Sequence, residues 1–213
     1  MSTFATFVFD HVPPPPRRVL EVGCGSEGGL VGMLAERGYD ALGVDPQAPA
    51  GERFVRADFR SLDGAWDVVV AGRVLHHLDP LGASLDHLAS LAPLLLVDEF
   101  AANRLDGPAA GWYEQQHRML RAAGADPPGP TEIAAWHERH PGLHGDELLL
   151  RELRARYDEL ALERVPYLHR WLEGPSSEAL EQSLIDAGAF PAIGYRWAGV
   201  SRTSTTRSAA DAR

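Results

Sequence analysis

The stretch that most constrains the fold, residues 18–30, is an apolar run that ends in a cluster of glycines. The β-branched residues of 18–22 predict a strand, and the apolar spacing of 30–37 predicts a helix directly after the glycines. Gly23 and Gly25 let the backbone bend sharply and approach a ligand, while the first helical turn offers unpaired N–H groups. The stretch therefore predicts a ligand-binding turn, with a turn that only joins strand to helix as the alternative.

The glycines alone do not identify the ligand, because Gly23, Gly25 and Gly28 also match the G-x-G-x-x-G pattern of dinucleotide sites. Glu21 separates the possibilities, since a dinucleotide site usually has an apolar residue there and a buried carboxylate needs a partner. The run Val-Leu-Glu-Val-Gly-Cys-Gly at 19–25 resembles the first motif of the class I S-adenosylmethionine (AdoMet)-dependent methyltransferases. In that family the acid faces the methionine end of the cofactor, and the glycines face its sugar and carboxypropyl parts.

This resemblance implies a doubly wound α/β fold, with a mostly parallel sheet of the seven-stranded type and helices on both faces. It also implies a helical lid inserted after the fifth strand, AdoMet as the cofactor and S-adenosylhomocysteine as the product. The residues expected to bind the cofactor lie in the first turn and after the next strands: Glu21, Gly23, Cys24, Gly25, Asp45, Pro46, Asp58, Phe59, Ala71, Gly72 and His76.

Two acids follow the second and third predicted strands. Asp45 lies about 20 residues after the glycine turn, the spacing at which a strand-end carboxylate binds both ribose hydroxyls. It favours a nucleoside without choosing between AdoMet and a nicotinamide, and a turn-forming role before Pro46 is the alternative. Asp58, after a strand over 53–57, matches the acid that contacts the adenine amine in the family. Pro46 and Pro49 leave too little chain for a normal crossover helix between these strands.

The fourth predicted strand, 66–71, is almost wholly apolar, which indicates burial on both faces. It leads into Leu-His-His-Leu at 75–78, which resembles the segment after this strand in small-molecule methyltransferases. His76 and His77 lie where ligands bind in open α/β sheets, so either could contact a ligand, act as a general base, or only cap and pack. The Asn-Pro-Pro-Tyr, Asp-Pro-Pro-Tyr and Pro-Cys motifs of DNA and protein methylases are absent.

The fifth predicted strand, 92–100, ends in Asp98 and Glu99, which could orient a substrate or attract a cationic one. Residues 103–145 then leave the strand-helix rhythm and are expected to form a substrate lid. An apolar or aromatic substrate could pack against Trp112, Tyr113 and Trp136, or these side chains could pack on the core.

The predicted lid contains three histidines that could be zinc ligands: His137, His140 and His144. Pro141-Gly142 breaks the helix between the last two, and no cysteine or acid completes a ligand pattern, so no metal site is expected. His144 is the lid candidate for a base.

Five segments are expected along the chain: an N-terminal flap with a Pro-rich spacer (1–17), an AdoMet-binding Rossmann-like core (18–102), the helical lid (103–145), the C-terminal part of the sheet domain (146–202) and a flexible tail (203–213). Helices are predicted over 80–91, 111–120, 132–140, 146–157 and 177–187, and further strands over 160–165 and 192–200. Phe4, Phe7 and Phe9 could form a flap over the cofactor pocket or pack on the domain surface.

Composition excludes several rival classes. All 20 basic residues are arginine, so the chain has no Schiff-base lysine, no phosphate-loop lysine and no Tyr-Lys pair of the short-chain dehydrogenases. The formal net charge of −10 opposes nucleic-acid binding. A single cysteine, no membrane-length apolar run and no secretion signal predict a cytoplasmic protein without a membrane partner.

The sequence therefore predicts an AdoMet-dependent methyltransferase that acts on a small organic molecule at O, N or C. By analogy, bacterial specialised metabolism is the expected setting. An NAD(P)-dependent oxidoreductase is the first alternative, disfavoured by Glu21 and the Leu-His-His-Leu segment. A non-catalytic module that binds AdoMet or S-adenosylhomocysteine is the second, and a homodimer is left open.

Overall fold

The computed structural model describes residues 3–172 and 174–202. These residues form two compact units. The first comprises the described residues of Met1–Glu99, Leu149–Leu162 and Arg196–Arg213, and the second those of Phe100–Leu148 and Glu163–Tyr195. The predicted lid, 103–145, lies within the second unit, and the predicted tail, 203–213, lies outside the described residues.

The strands are β1 (Arg18–Val22), β2 (Asp40–Val44), β3 (Phe54–Val55), β4 (Val68–Gly72), β5 (Leu94–Phe100), β6 (Tyr157–Val165) and β7 (Gly194–Ser201). They form one sheet in the order β3-β2-β1-β4-β5-β7-β6. The first five strands pair in parallel. β7 runs antiparallel to β5, since the Ser201 N–H donates to Pro93 O while the Ala101 N–H donates to Ile193 O, both at 2.7 Å. The predicted α/β fold with a mostly parallel sheet is confirmed.

The α-helices of the described residues are α1 (Phe4–His11), α2 (Val31–Glu36), α3 (Leu81–Leu91), α4 (Gly107–Ala122), α5 (Ile133–Arg139), α6 (Asp146–Arg156) and α7 (Gly174–Asp186). Several predicted bounds differ from the observed ones by one to four residues. α4 begins at Gly107 rather than 111, because proline is tolerated in the first turn of a helix. Tyr157, expected to end α6, begins β6 because its ring packs fully buried against Trp197, 5.7 Å between centroids.

The N-terminal aromatic residues form α1, an element that was not predicted. The Thr3 hydroxyl caps this helix by accepting the Thr6 N–H at 3.1 Å. Phe7 and Val8 are fully buried in the core of the first unit, and Phe4 packs against that core. Phe7 and Val8 of this segment thus belong to the core of the first unit.

The neighbouring strands β1 and β4 contribute Val19, Val68 and Val70 to the core of the first unit. Val68, Val70 and Ala71 are fully buried in β4, as expected for a strand covered on both faces. The connection from Val44 to Phe54 contains no helix, as the two prolines predicted.

The second unit has its own core, centred on aromatic side chains. Phe100 stacks on Tyr167 with centroids 4.7 Å apart, and Trp136 and Trp171 pack edge-on against Phe100. Asp146 is fully buried there and binds Arg104 Nε at 3.0 Å. The contacts of Phe100 with Tyr167 and Trp171, and the hydrogen bond from Arg164 to Asp146 at 2.7 Å, join the two stretches of this unit.

Candidate functional site

The parallel register brings the predicted cofactor residues to one edge of the sheet. Val22 pairs with Val44 on one side and with Ala71 on the other, so the residues that follow β1, β2 and β4 meet at the carboxyl edge. In open α/β sheets this is the edge at which ligands bind.

Glu21 is 4 % exposed and finds its partner in the turn that follows β1. Its Oε2 accepts the Leu30 N–H at 2.7 Å, at the start of α2. Gly29 has φ +54°, and a Cβ there would collide with the Glu21 carboxylate. Burial raises the pKa of Glu21 to about 7, while the backbone N–H groups of Leu30 and Val31 oppose that rise. Glu21 thus ties the glycine turn to the strand.

Asp45, directly after β2, lies opposite the glycine turn. Its Oδ2 accepts the Gly25 N–H at 3.2 Å and its Oδ1 accepts the Gln47 N–H at 2.7 Å. Each carboxylate oxygen has a further lone pair that could accept a ligand hydroxyl.

A cavity of about 120 Å³ opens beside this carboxylate. Five of the predicted cofactor residues line it, namely Gly23, Asp45, Pro46, Asp58 and Phe59. The sequence missed the other lining residues: Val22, Val44, Ala57, Arg60, Val74 and Leu78. Of these, Leu78 is the last residue of the Leu-His-His-Leu segment.

Asp58 caps the 3₁₀ turn Phe59–Ser61, where its Oδ1 accepts the Arg60 N–H at 2.9 Å. The Arg60 side chain also binds this carboxylate, and that hydrogen bond lowers the pKa of Asp58. Asp58 therefore faces the cavity as a carboxylate already paired with a cation.

Cys24 and Gly25 differ in what surrounds their side-chain positions. Cys24 is buried against Gly43, and burial raises the pKa of its thiol to about 11, which argues against a nucleophile. Gly25 has φ +64°, and no described atom lies within 4 Å of the place that a Cβ would take. A side chain at Gly25 would fill space that a ligand can occupy.

Ala71 and Gly72 end β4 at the same edge but do not line the cavity. Gly72 is covered by the Phe4 ring of α1, which lies 3.6 Å from the place of a Cβ. Arg73 follows with φ +58°, and its N–H donates to Asp98 O at 2.7 Å. Backbone in this region costs about 1 kcal/mol for a non-glycine residue, and nothing in the sequence indicated it.

His76 and Glu99 form a buried pair beyond the ends of β4 and β5. Glu99 is fully buried, and its Oε2 accepts both the His76 backbone N–H at 2.8 Å and Nδ1 at 2.6 Å. Burial raises the pKa of Glu99, and the hydrogen bond from His76 opposes that rise. His77 is exposed, with its ring centroid 4.0 Å from that of His76.

The predicted roles of Asp98 and the lid histidines have no direct support in the geometry. Asp98 pairs with Arg196 at 3.5 Å, and both residues are buried. In the second unit His137 Nε2 lies 3.0 Å from Leu105 O, and His144 lies between α5 and α6. No group of three or more His, Cys, Asp or Glu is arranged for a metal ion within 3–172 and 174–202.

Comparison with known protein families gives one decisive match. The family model described as a methyltransferase domain matches residues 3–140, more than half of the chain. The chain belongs to this methyltransferase family. The predicted membership of a methyltransferase family is confirmed.

Solved structures share the fold of this methyltransferase at low sequence identity. An AdoMet-dependent methyltransferase from Mesorhizobium loti has a TM-score of 0.59 and 14% identity, covering 94% of this chain and 98% of its own. Magnesium protoporphyrin IX methyltransferase (ChlM) from Synechocystis PCC 6803 with bound S-adenosylhomocysteine has a TM-score of 0.53 and 19% identity, covering 92% and 78%. No curated protein matches the chain in sequence. No helix among the described residues has the length and apolarity needed to cross a bilayer.

Proposed function

We propose that this methyltransferase transfers the methyl group of AdoMet to a small organic acceptor, with the cofactor held at the carboxyl edge of the first unit. The proposal depends on Asp45, because its carboxylate follows β2, faces the glycine turn and borders the cavity. The ribose hydroxyls would donate to Asp45, and Asp58 with Phe59 would lie on the adenine side. Backbone contacts to the cofactor would come from the other predicted residues: Gly23, Cys24, Gly25, Pro46, Ala71 and Gly72.

The residues present fit this cofactor. The open space beside Gly25 and the lone pairs of Asp45 match a nucleoside, and Glu21 holds the turn that would cradle it. When bound, AdoMet supplies a methyl group on a sulfonium, an already activated leaving group. The chain therefore mainly has to align the acceptor with the methyl group and exclude water.

His76 is the proposed base for an acceptor that keeps its proton, as a hydroxyl or protonated amine does. Glu99 accepts the hydrogen of His76 Nδ1. In this tautomer the basic lone pair of the ring lies on Nε2, which is therefore the nitrogen that would accept the proton. The buried carboxylate would also stabilise the imidazolium that forms. Glu99 thus acts as a positioning residue through His76.

Several predictions stay predictions. His77 and His144 remain candidate bases, and bacterial specialised metabolism and a cytoplasmic location rest on the resemblance and on the composition. A module that binds AdoMet without turnover would use the same pocket. The nicotinamide alternative is not favoured, since the family model is that of a methyltransferase.

Substitution of Asp45 tests the cofactor site. Asp45→Asn should weaken AdoMet binding by about tenfold or more, because a charge-assisted hydrogen bond to a ribose hydroxyl becomes a neutral one. Calorimetric titration measures this, with Asp63→Asn, an exposed acid, as the matched control. Equal AdoMet affinity in the two variants, or tight binding of NAD to the unaltered chain, would contradict the proposal.

The neighbouring histidines form a matched pair for the catalytic role. His76→Gln should lower methyl transfer at saturating AdoMet by about 100-fold or more, which is the contribution of a general base. His77→Gln should change it little. Transfer of labelled methyl from AdoMet into small-molecule extracts measures both rates, and the opposite order would assign the base to His77.

A further inference from the structure

The second unit contains a cavity that the proposed cofactor site does not use. Its volume is about 540 Å³, and its walls come from Trp136, Arg139 and His140 near the end of α5, from Trp171, and from the loop 128–130. Every one of these residues belongs to the second unit.

Hydrogen bonds fix the walls of this cavity. The Gly129 N–H donates to Trp171 O at 3.1 Å, and the Tyr113 hydroxyl donates to Pro130 O at 2.7 Å. Trp171 is the last residue of the 3₁₀ turn Leu168–Trp171. The Leu168 N–H at the start of this turn donates to the fully buried carboxylate of Glu181 at 3.0 Å. The cavity is therefore a preformed feature, as small-molecule sites usually are.

The aromatic side chains of the walls favour a planar ligand. The Trp136 and Trp171 rings lie 5.3 Å apart at 53°, and His140 stacks on Trp136 at 4.6 Å and 24°. Both tryptophans are only half-buried, so part of each ring remains available for contact. Stacking on such rings adds binding free energy beyond that from the burial of apolar area.

The charge of the walls favours an anion. Arg139 is the one formally charged side chain among the lining residues, and it is exposed. Its Nε donates to Ala135 O at 3.1 Å, and its terminal nitrogens have no acceptor among the described residues. A guanidinium with two such nitrogens matches a carboxylate in a bidentate arrangement.

We propose that this cavity binds a planar aromatic carboxylate that packs against the Trp136 and Trp171 rings and pairs with Arg139. The role of this ligand as methyl acceptor would rest on the proposed function, whereas its binding would not.

Calorimetric titration of the full chain with 2-naphthoate tests the site. The neutral amide, 2-naphthamide, should bind about tenfold more weakly because it lacks the charge. The saturated decahydro-2-naphthoate should bind more weakly by about threefold or more because it cannot stack.

Two variants assign these differences to residues. Arg139→Gln should remove the preference for naphthoate over naphthamide, while the exposed control Arg118→Gln should keep it. Trp136→Leu should weaken both probes by about tenfold, and thermal unfolding checks that it folds. Because Arg139 is exposed, the charge test does not depend on core packing.

The proposal is overturned if naphthoate binds no tighter than naphthamide, or if Arg139→Gln and Arg118→Gln behave alike. AdoMet titration of the same samples keeps the two proposals separate. Failure of AdoMet to bind would refute the proposed cofactor site alone, and failure of naphthoate would refute this inference alone.

Discussion

Glu21 shows how a single residue can be recognised from sequence while its contacts cannot. A carboxylate inside an apolar strand predicted a buried acid with a partner. The partner is the Leu30 N–H, reached because Gly29 adopts φ +54° and leaves room for the side chain. That backbone conformation depends on the folded turn, so the sequence alone could not indicate it.

Glu21 should make stability fall with rising pH. Its pKa rises from 4.5 to about 7 on folding, so between these values the folded chain binds more protons than the unfolded chain. The free energy of unfolding should therefore fall by up to about 3 kcal/mol over that range. Glu21→Gln, which keeps an acceptor for Leu30 but does not titrate, should lose this contribution.

Urea unfolding of both proteins at pH values below and above that range measures the effect. The difference between the wild-type and variant free energies of unfolding should change with pH in the stated direction. Parallel pH profiles would show that the buried carboxyl does not titrate as described.

At the scale of elements, a 3₁₀ turn in the second unit depends on one buried acid from α7. Glu181 is fully buried and accepts the N–H groups of Tyr167, Leu168 and His169 at 2.7, 3.0 and 2.8 Å. In the sequence, Glu181 has the character of a surface residue on an amphipathic helix. Its buried role could not be predicted from the local sequence, because the N–H groups that it accepts lie more than ten positions away in the chain.

Removal of this acid should destabilise the chain strongly. Glu181→Ala should lower the free energy of unfolding by at least about 3 kcal/mol, because it leaves buried N–H groups without an acceptor. Glu178→Ala, on the same helix and only half-buried, should cost less than about 1 kcal/mol. Chemical denaturation compares the two variants, and equal losses would mean that water replaces the carboxylate.

At the scale of the whole molecule, the sequence predicted the first unit better than the second. Apolar periodicity and glycine turns specify the strand-turn-helix succession of the core, and the strand ends then fall at one edge. The second unit depends on contacts between distant residues, such as Phe100 on Tyr167 and Arg164 on Asp146. Local patterns contain no signal for such pairs.

The candidate cofactor site at the carboxyl edge of the sheet was predicted in part, because only some of its residues follow from local sequence patterns. Asp45 and the glycines are recognisable because their spacing follows from the strand-turn-helix unit. Val74, which lines the cavity, and Arg73, with φ +58°, depend on how β4 ends and on its neighbour β5.

The two-stretch construction of the second unit has a consequence for protein engineering. The aromatic cavity takes Trp136 from residues 100–148 and Trp171 from residues 163–195. A chimera that grafts only the first stretch onto another methyltransferase would carry one of the two tryptophans of this cavity. Transplanting the proposed ligand site requires two coordinated exchanges, with the host's own connecting segment retained between them.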